Sequence, residues 1–130
     1  MVKLRAPSEA CPCGRAAWAD CCGRHIGTGV PAPDAESLMR SRYSAFVRGD
    51  VAYLRATWHP DHRPADLALD PAVRWLGLEV RGHRITGPDT AEVEFVARSR
   101  IQGRGQRLHE RSRFKRQEGR WLYLDGDILN

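Results

Sequence analysis

From residue 34 onward the hydrophobic period of the chain changes once, from helical to extended. Over "AESLMRSRYSAFVRG", Leu38, Arg42, Ala45 and Phe46 recur at helical spacing, with Asp34 placed as amino-terminal cap and Gly49 at the carboxyl end. "DVAYLRATW" predicts a second helical segment that starts at an Asp50 cap and stops before Pro60. "HPDHRPADLALDP" holds no sustained period and reads as loop with at most a helical turn. Beyond it the period falls towards two. "VRWLGLEVRGHRI", "TAEVEFVARSRI", "QRLHERSRFKR" and "RWLYLDGDI" alternate, are rich in aromatic or branched residues, and are separated by the turn segments "TGPDT", "QGRGQ" and "QEGR". Two helices followed by a four-stranded antiparallel meander define an α+β layout with the helices on one sheet face.

The last hairpin assigns those faces. A two-residue turn at Glu118-Gly119 pairs Gln117 with Arg120 and Phe114 with Tyr123. One face then carries Leu108, Glu110, Ser112, Phe114, Trp121, Tyr123 and Asp125, and its aromatic bulk turns it towards the helices. Buried carboxylates need partners, so Arg42, on the apolar stripe of the first helix, is expected within salt-bridge range of Glu110 or Asp125. The sharper alternative is a lined pocket between helix and sheet, with Arg42, Tyr43, Trp58, His59, Glu110, Ser112, Tyr123 and Asp125 as its candidate residues. No nucleophile–base–orienter set is evident, and His59 beside carboxylates is the one acid–base candidate, so binding rather than turnover is expected.

The first 30 residues follow no such period. Their sizeable apolar side chains are Leu4, Trp18, Ile26 and Val30, too few to bury a core. All four cysteines of the 130-residue chain lie here, as a C-x-C pair, Cys11 and Cys13, and an adjacent pair, Cys21 and Cys22. Disulfides within either pair require strained short rings. Lys3 and Arg5 have no apolar stretch behind them, and no run approaches bilayer length, so a cytoplasmic, reducing setting is expected. Clustered thiols there read as metal ligands, and four thiolates suit structural Zn²⁺, with Lys3, Arg5, Arg15 and Arg24 offsetting the charge. His25 is the substitute ligand. "GTGVPAPDA" reads as a linker, which divides the chain into a small metal module at residues 1–30 and an α+β domain at 34–130.

Charge sharpens one further candidate. The net charge is +5, and residues 98–120 hold nine Lys or Arg against Glu110 and Glu118. Alternation puts Arg98 with Arg100 on one strand face, and Arg111, Arg113 and Lys115 on another, a candidate basic face for RNA, ribosomes or an acidic protein. No RNA-binding signature with surface aromatics accompanies it.

"CPCG…WADCCG" resembles the SEC-C motif, the zinc-binding knuckle found at the end of the SecA translocation ATPase and in many small bacterial proteins. It departs in having seven residues between the cysteine pairs rather than eight, and Arg15 where a Ser is usual. "LMRSRYSAFVRGD", "YLRATWHP", "WLGLEV", "VEFVARSR", "ERSRF" and "GRWLYLDGD" resemble, in order, the YchJ-like family. That resemblance implies an amino-terminal SEC-C knuckle joined to a nuclear-transport-factor-2-like (cystatin-like) cone of helices on a curved antiparallel sheet. It implies zinc but no reaction. The expectations are therefore three: an adaptor whose knuckle docks a protein partner in protein synthesis, secretion or quality control; a small-molecule or enzymatic pocket; and electrostatic RNA or ribosome binding.

Overall fold

The computed structural model describes residues 9–129. Two helices, α1 (Ala35–Arg48) and α2 (Val51–Ala56), precede four strands: β1 (Val73–Gly87), β2 (Thr90–Ile101), β3 (Arg104–Gln117) and β4 (Arg120–Ile128). The helices start where the short acidic side chains allow. Asp34 Oδ1 accepts from the Ser37 amide at 2.7 Å, and Asp50 Oδ1 from the Tyr53 amide at 3.0 Å. Each cap satisfies an amide that would otherwise lack a partner in the first turn.

The strands form one antiparallel sheet in the order β1-β2-β3-β4. Both later hairpins use two-residue turns with left-handed backbone, φ 51° and 79° at Gln102-Gly103 and 53° and 76° at Glu118-Gly119. Such turns match the strand twist, and their second position is where glycine adopts the conformation without steric cost. Gln117 pairs with Arg120 and Phe114 with Tyr123. The inner face presents Leu78 and Val80 from β1, Val93, Phe95 and Ala97 from β2 and Phe114 from β3 to Leu38, Met39 and Tyr43 of α1.

Register shifts bend this sheet. The β1–β2 ladder slips by one residue at three places, between Trp75 and Gly77, Val80 and Gly82, and Ile85 and Gly87. Extra residues on the edge strand curl it over α1 and spoil it as a template for another strand. A fourth slip has a direct consequence for the site. Phe114 faces Tyr123, but Arg113 faces Asp125, so Leu124 is the extra residue. A one-residue insertion moves every later side chain to the opposite face. Asp125 therefore lies on the outer face, contrary to the strict alternation read from the sequence, and Gly126 takes the inward position opposite Ser112.

Candidate metal centre and ligand cavity

The cysteines are held by two short structures. An antiparallel bridge between Ala10 and Ala17 closes a loop in which the Cys11 amide donates to Ala16 O at 2.9 Å. Two 3₁₀ turns, Trp18–Asp20 and Cys22–Arg24, then carry Cys21 and Cys22 back to it. All four cysteines are free and buried, and their Sγ atoms lie within 4.8 Å of one another. A zinc tetrahedron with four Zn–S bonds of about 2.3 Å places its sulfurs about 3.8 Å apart. The cluster thus fits a single metal ion. Without a cation its charges conflict. Hydrogen bonding with Cys22 pulls the Cys13 thiol down to about 4, while the same contact pushes Cys22 up, and burial pushes Cys21 up to about 11. Four thiolates together require a cation between them. His25 is engaged elsewhere, with Nδ1 at 3.1 Å from Val30 O. Lys3 and Arg5 lie outside the described residues.

The knuckle is clasped to α1. Arg15 contacts Glu36 at 2.9 Å and Ser37 Oγ at 3.2 Å, and Arg40 joins Glu36 at 2.9 Å while donating to Cys13 O at 3.1 Å. Cys11 Sγ lies 3.4 Å from Ser44 Oγ, and the Arg48 guanidinium stacks 4.2 Å over Trp18. Arg15, the residue at which the motif departs from its usual Ser, is one of the anchors. Burial alone would raise the Glu36 pKa, but the Arg15 and Arg40 guanidiniums bring it below the ordinary carboxylate value.

Behind α1 lies a cavity of about 320 Å³. Its walls are mostly aromatic: Tyr43 and Phe46 from α1, Trp58 after α2, Trp75, Phe95 and Tyr123 from the sheet. Arg42, Glu110 and Ser112 supply the polar part of the lining. Of the candidate pocket residues, the cavity brings together Arg42, Tyr43, Trp58, Glu110, Ser112 and Tyr123, but not Asp125 or His59. Asp125 has gone to the outer face with the β4 slip. His59 Nε2 contacts Gln117 Oε1 at 3.2 Å and its Nδ1 accepts from the Asp61 amide, so it ties a loop to the last hairpin.

The expected ion pair under the helix is absent among the described residues. Arg42, only 6% exposed, donates from Nη1 to Leu54 O at 2.8 Å and Thr57 Oγ1 at 2.7 Å. Its guanidinium carbon sits 5.0 Å from the Trp58 ring and 4.7 Å from the Tyr123 ring. Aromatic faces and neutral acceptors replace the carboxylate, and burial lowers its pKa to about 10, leaving it a cation at neutral pH. Glu110 Oε2 instead accepts from Ser112 Oγ and from the Tyr123 hydroxyl, the latter at 3.1 Å. Burial and then Glu110 push the Tyr123 pKa up, keeping the phenol a donor. Gly126 completes this arrangement, since a Cβ there would overlap the Glu110 carboxylate. The sequence signal for it was a glycine inside a strand, a mark of close approach.

The basic candidates lie outside the cavity, in an interleaved rather than uniform charge field. Arg113 is held by Asp125 at 2.6 Å and Asp127 at 2.8 Å, Arg84 by Glu92 at 2.6 Å, and His109 by Glu94 at 2.7 Å. Arg98 reaches Glu79 at 3.7 Å, and Arg100 and Lys115 are exposed. Arg111 lies opposite Glu94 and Asp127 across its two ladders.

A cysteine knuckle clasped to the first helix of a helix-on-curved-sheet domain defines a class, the SEC-C proteins with a nuclear-transport-factor-2-like domain. Residues 34–126 match the family described as "YchJ, middle NTF2-like domain". The chain belongs to this YchJ-like family, whose members carry the name UPF0225. It is 67% identical over 119 residues to a UPF0225 protein of Methylibium petroleiphilum, covering 91% of this chain and 88% of that one. It is also similar to the solution structure of a SEC-C motif containing protein from Rhodopseudomonas palustris, with TM-score 0.81 and 33% identity over 92% of this chain and 98% of the other. A crystal structure of a SEC-C motif containing protein from Psychrobacter arcticus gives TM-score 0.71 and 29% identity, covering 98% and 78%. No helix among the described residues is long and apolar enough to cross a membrane.

Proposed function

We propose that this chain is a small-molecule-binding protein whose ligand occupies the cavity between α1 and the sheet, and whose knuckle holds a structural Zn²⁺ that fixes the helix forming one wall. The observation that carries this reading is Arg42, a buried guanidinium lining an aromatic cavity with no carboxylate in salt-bridge range among the described residues. A buried charge with no directly paired carboxylate among the described residues costs stability that an apolar side chain of similar size would not, so its presence here favours binding over packing. The volume falls at the small end of ligand cavities, about 300–1,000 Å³, and suits a single aromatic ring with substituents.

The knuckle's geometry favours stapling over docking. Cys11 Sγ meets Ser44 of α1, Arg15 reaches Glu36, Trp18 stacks under Arg48, and all four cysteines are buried, so the surface left for a protein partner carries none of the metal ligands. RNA or ribosome binding draws less support, because Arg113 on the outer face is already neutralised by two aspartates. The test is calorimetric titration with p-xylene, a plain aromatic molecule, against the wild type and an Ala97→Phe variant that fills the cavity. Saturable binding to the wild type and its loss in the folded variant are expected. Equal binding to both proteins would place the ligand elsewhere.

A further inference from the structure

The ligand-binding reading leaves open what the ligand carries, and the cavity's polar groups bear on that. Arg42 and Glu110 line the same space, yet no ion pair joins them among the described residues. Tyr123 stands between them. Its ring faces the Arg42 guanidinium at 4.7 Å, and its hydroxyl donates to Glu110 Oε2 at 3.1 Å. The cation thus meets the ring of one phenol side chain and the anion its hydroxyl.

The two ends differ in what they lack. At the Arg42 end, Nη1 takes both protein acceptors, and Nε and Nη2 meet none among the described residues. That end has guanidinium donors to spare. At the Glu110 end, Oε2 takes two donors, and Oε1 receives none among the described residues. The empty side-chain position at Gly126 leaves room for that carboxylate. The pair is neutral as a whole, so a ligand with one charge leaves the opposite group unmatched, whereas a ligand with both matches each.

We infer that the cavity takes a small aromatic molecule with an acceptor of carboxylate type at one end, facing Arg42, and an ammonium or strong N–H donor at the other, facing Glu110. This rests on the ligand-binding reading, and one set of isosteres separates the two claims. 4-(Aminomethyl)benzoate carries both groups, 4-methylbenzoate the anion alone, 4-methylbenzylamine the cation alone, and p-xylene neither. Titrated into the full-length wild type, the first is expected to bind about tenfold or more tighter than either singly charged compound, the worth of one hydrogen bond to a charged group. Arg42→Met should erase the advantage of the carboxylate while leaving p-xylene binding. Glu110→Gln, which keeps an acceptor for Ser112 and Tyr123, should erase the advantage of the amine. The wild-type ranking needs no variant, so a poorly folded Arg42→Met protein does not spoil the test. p-Xylene binding as tightly as the zwitterion overturns the inference and leaves the cavity reading standing. Absence of binding by all four compounds overturns both.

Discussion

The thiol cluster and the cavity are two polar inclusions beside the same helix, built on opposite principles. In the cluster, four identical groups converge within 4.8 Å, so they cannot all ionise without a cation among them. In the cavity, two unlike charges are held apart by Tyr123, each partly satisfied by neutral neighbours. The first arrangement fits an ion, and on the proposed reading completing it stabilises the fold. The second, on the same reading, gains when a ligand bridges it. Polar groups in a core therefore signal support or recognition according to whether they converge or are kept separate.

The largest effect should come from breaking the converging site. Cys21→Ser with Cys22→Ser is expected to reduce bound zinc from one equivalent to none by elemental analysis. Structural zinc contributes on the order of 10 kcal/mol in small modules. Because the knuckle is clasped to α1, its loss should also lower the melting temperature of the sheet domain. A variant that loses zinc but melts as the wild type would make the knuckle an independent appendage.

Gly126 sharpens the other half of the comparison. Gly126→Ala places a Cβ on the Glu110 carboxylate, which must swing away from Ser112 and Tyr123, and losing hydrogen bonds to a charged group costs about 1–3 kcal/mol. Denaturant unfolding should show that loss, and 4-methylbenzylamine affinity should fall more than that of 4-methylbenzoate.

Arg42→Met should change stability by less, within about 1 kcal/mol of the wild type, because two lost hydrogen bonds are offset by removal of a buried charge. Unfolding midpoints in urea check this. A loss several times larger would make Arg42 a structural pillar and weaken the case for recognition.

The smallest effect concerns the clasp. Glu36 has its pKa lowered in the fold, so its contribution to stability is present above the unfolded carboxylate value and is lost as pH falls through the lower, folded value. Arg15→Ser should remove up to about 1 kcal/mol at neutral pH and flatten that acid limb. Melting temperatures measured from pH 7 down to pH 3 would show both.

Helices, strands and the cysteine cluster were legible in the sequence because each rests on local signals. Asp34 and Asp50 cap, Glu118-Gly119 turns, and thiols so close in sequence can scarcely avoid meeting. The cavity was half legible. Alternation put Glu110, Ser112 and Tyr123 on the inner face, but it cannot register an inserted residue, and Leu124 sent Asp125 to the far side. The ion pair expected of Arg42 failed for a related reason. Burial calls for compensation, and the sequence could not show that backbone Leu54, Thr57 and two aromatic rings would supply it. The clasp through Arg15 was invisible as well, since it depends on how the knuckle lies against α1 rather than on its own fold.

The most direct test of the central claim uses the four tryptophans as reporters. Trp58 and Trp75 line the cavity, whereas Trp18 lies in the knuckle under Arg48, and Trp121 is not part of the cavity lining. Protein labelled with 5-fluorotryptophan should give four ¹⁹F resonances, each assigned by a single Trp→Phe variant. Titration with 4-(aminomethyl)benzoate should move the Trp58 and Trp75 signals together along one saturable curve and leave Trp18 and Trp121 in place. Signals that all stay fixed, or a shift confined to Trp18 or Trp121, would contradict a ligand site between α1 and the sheet.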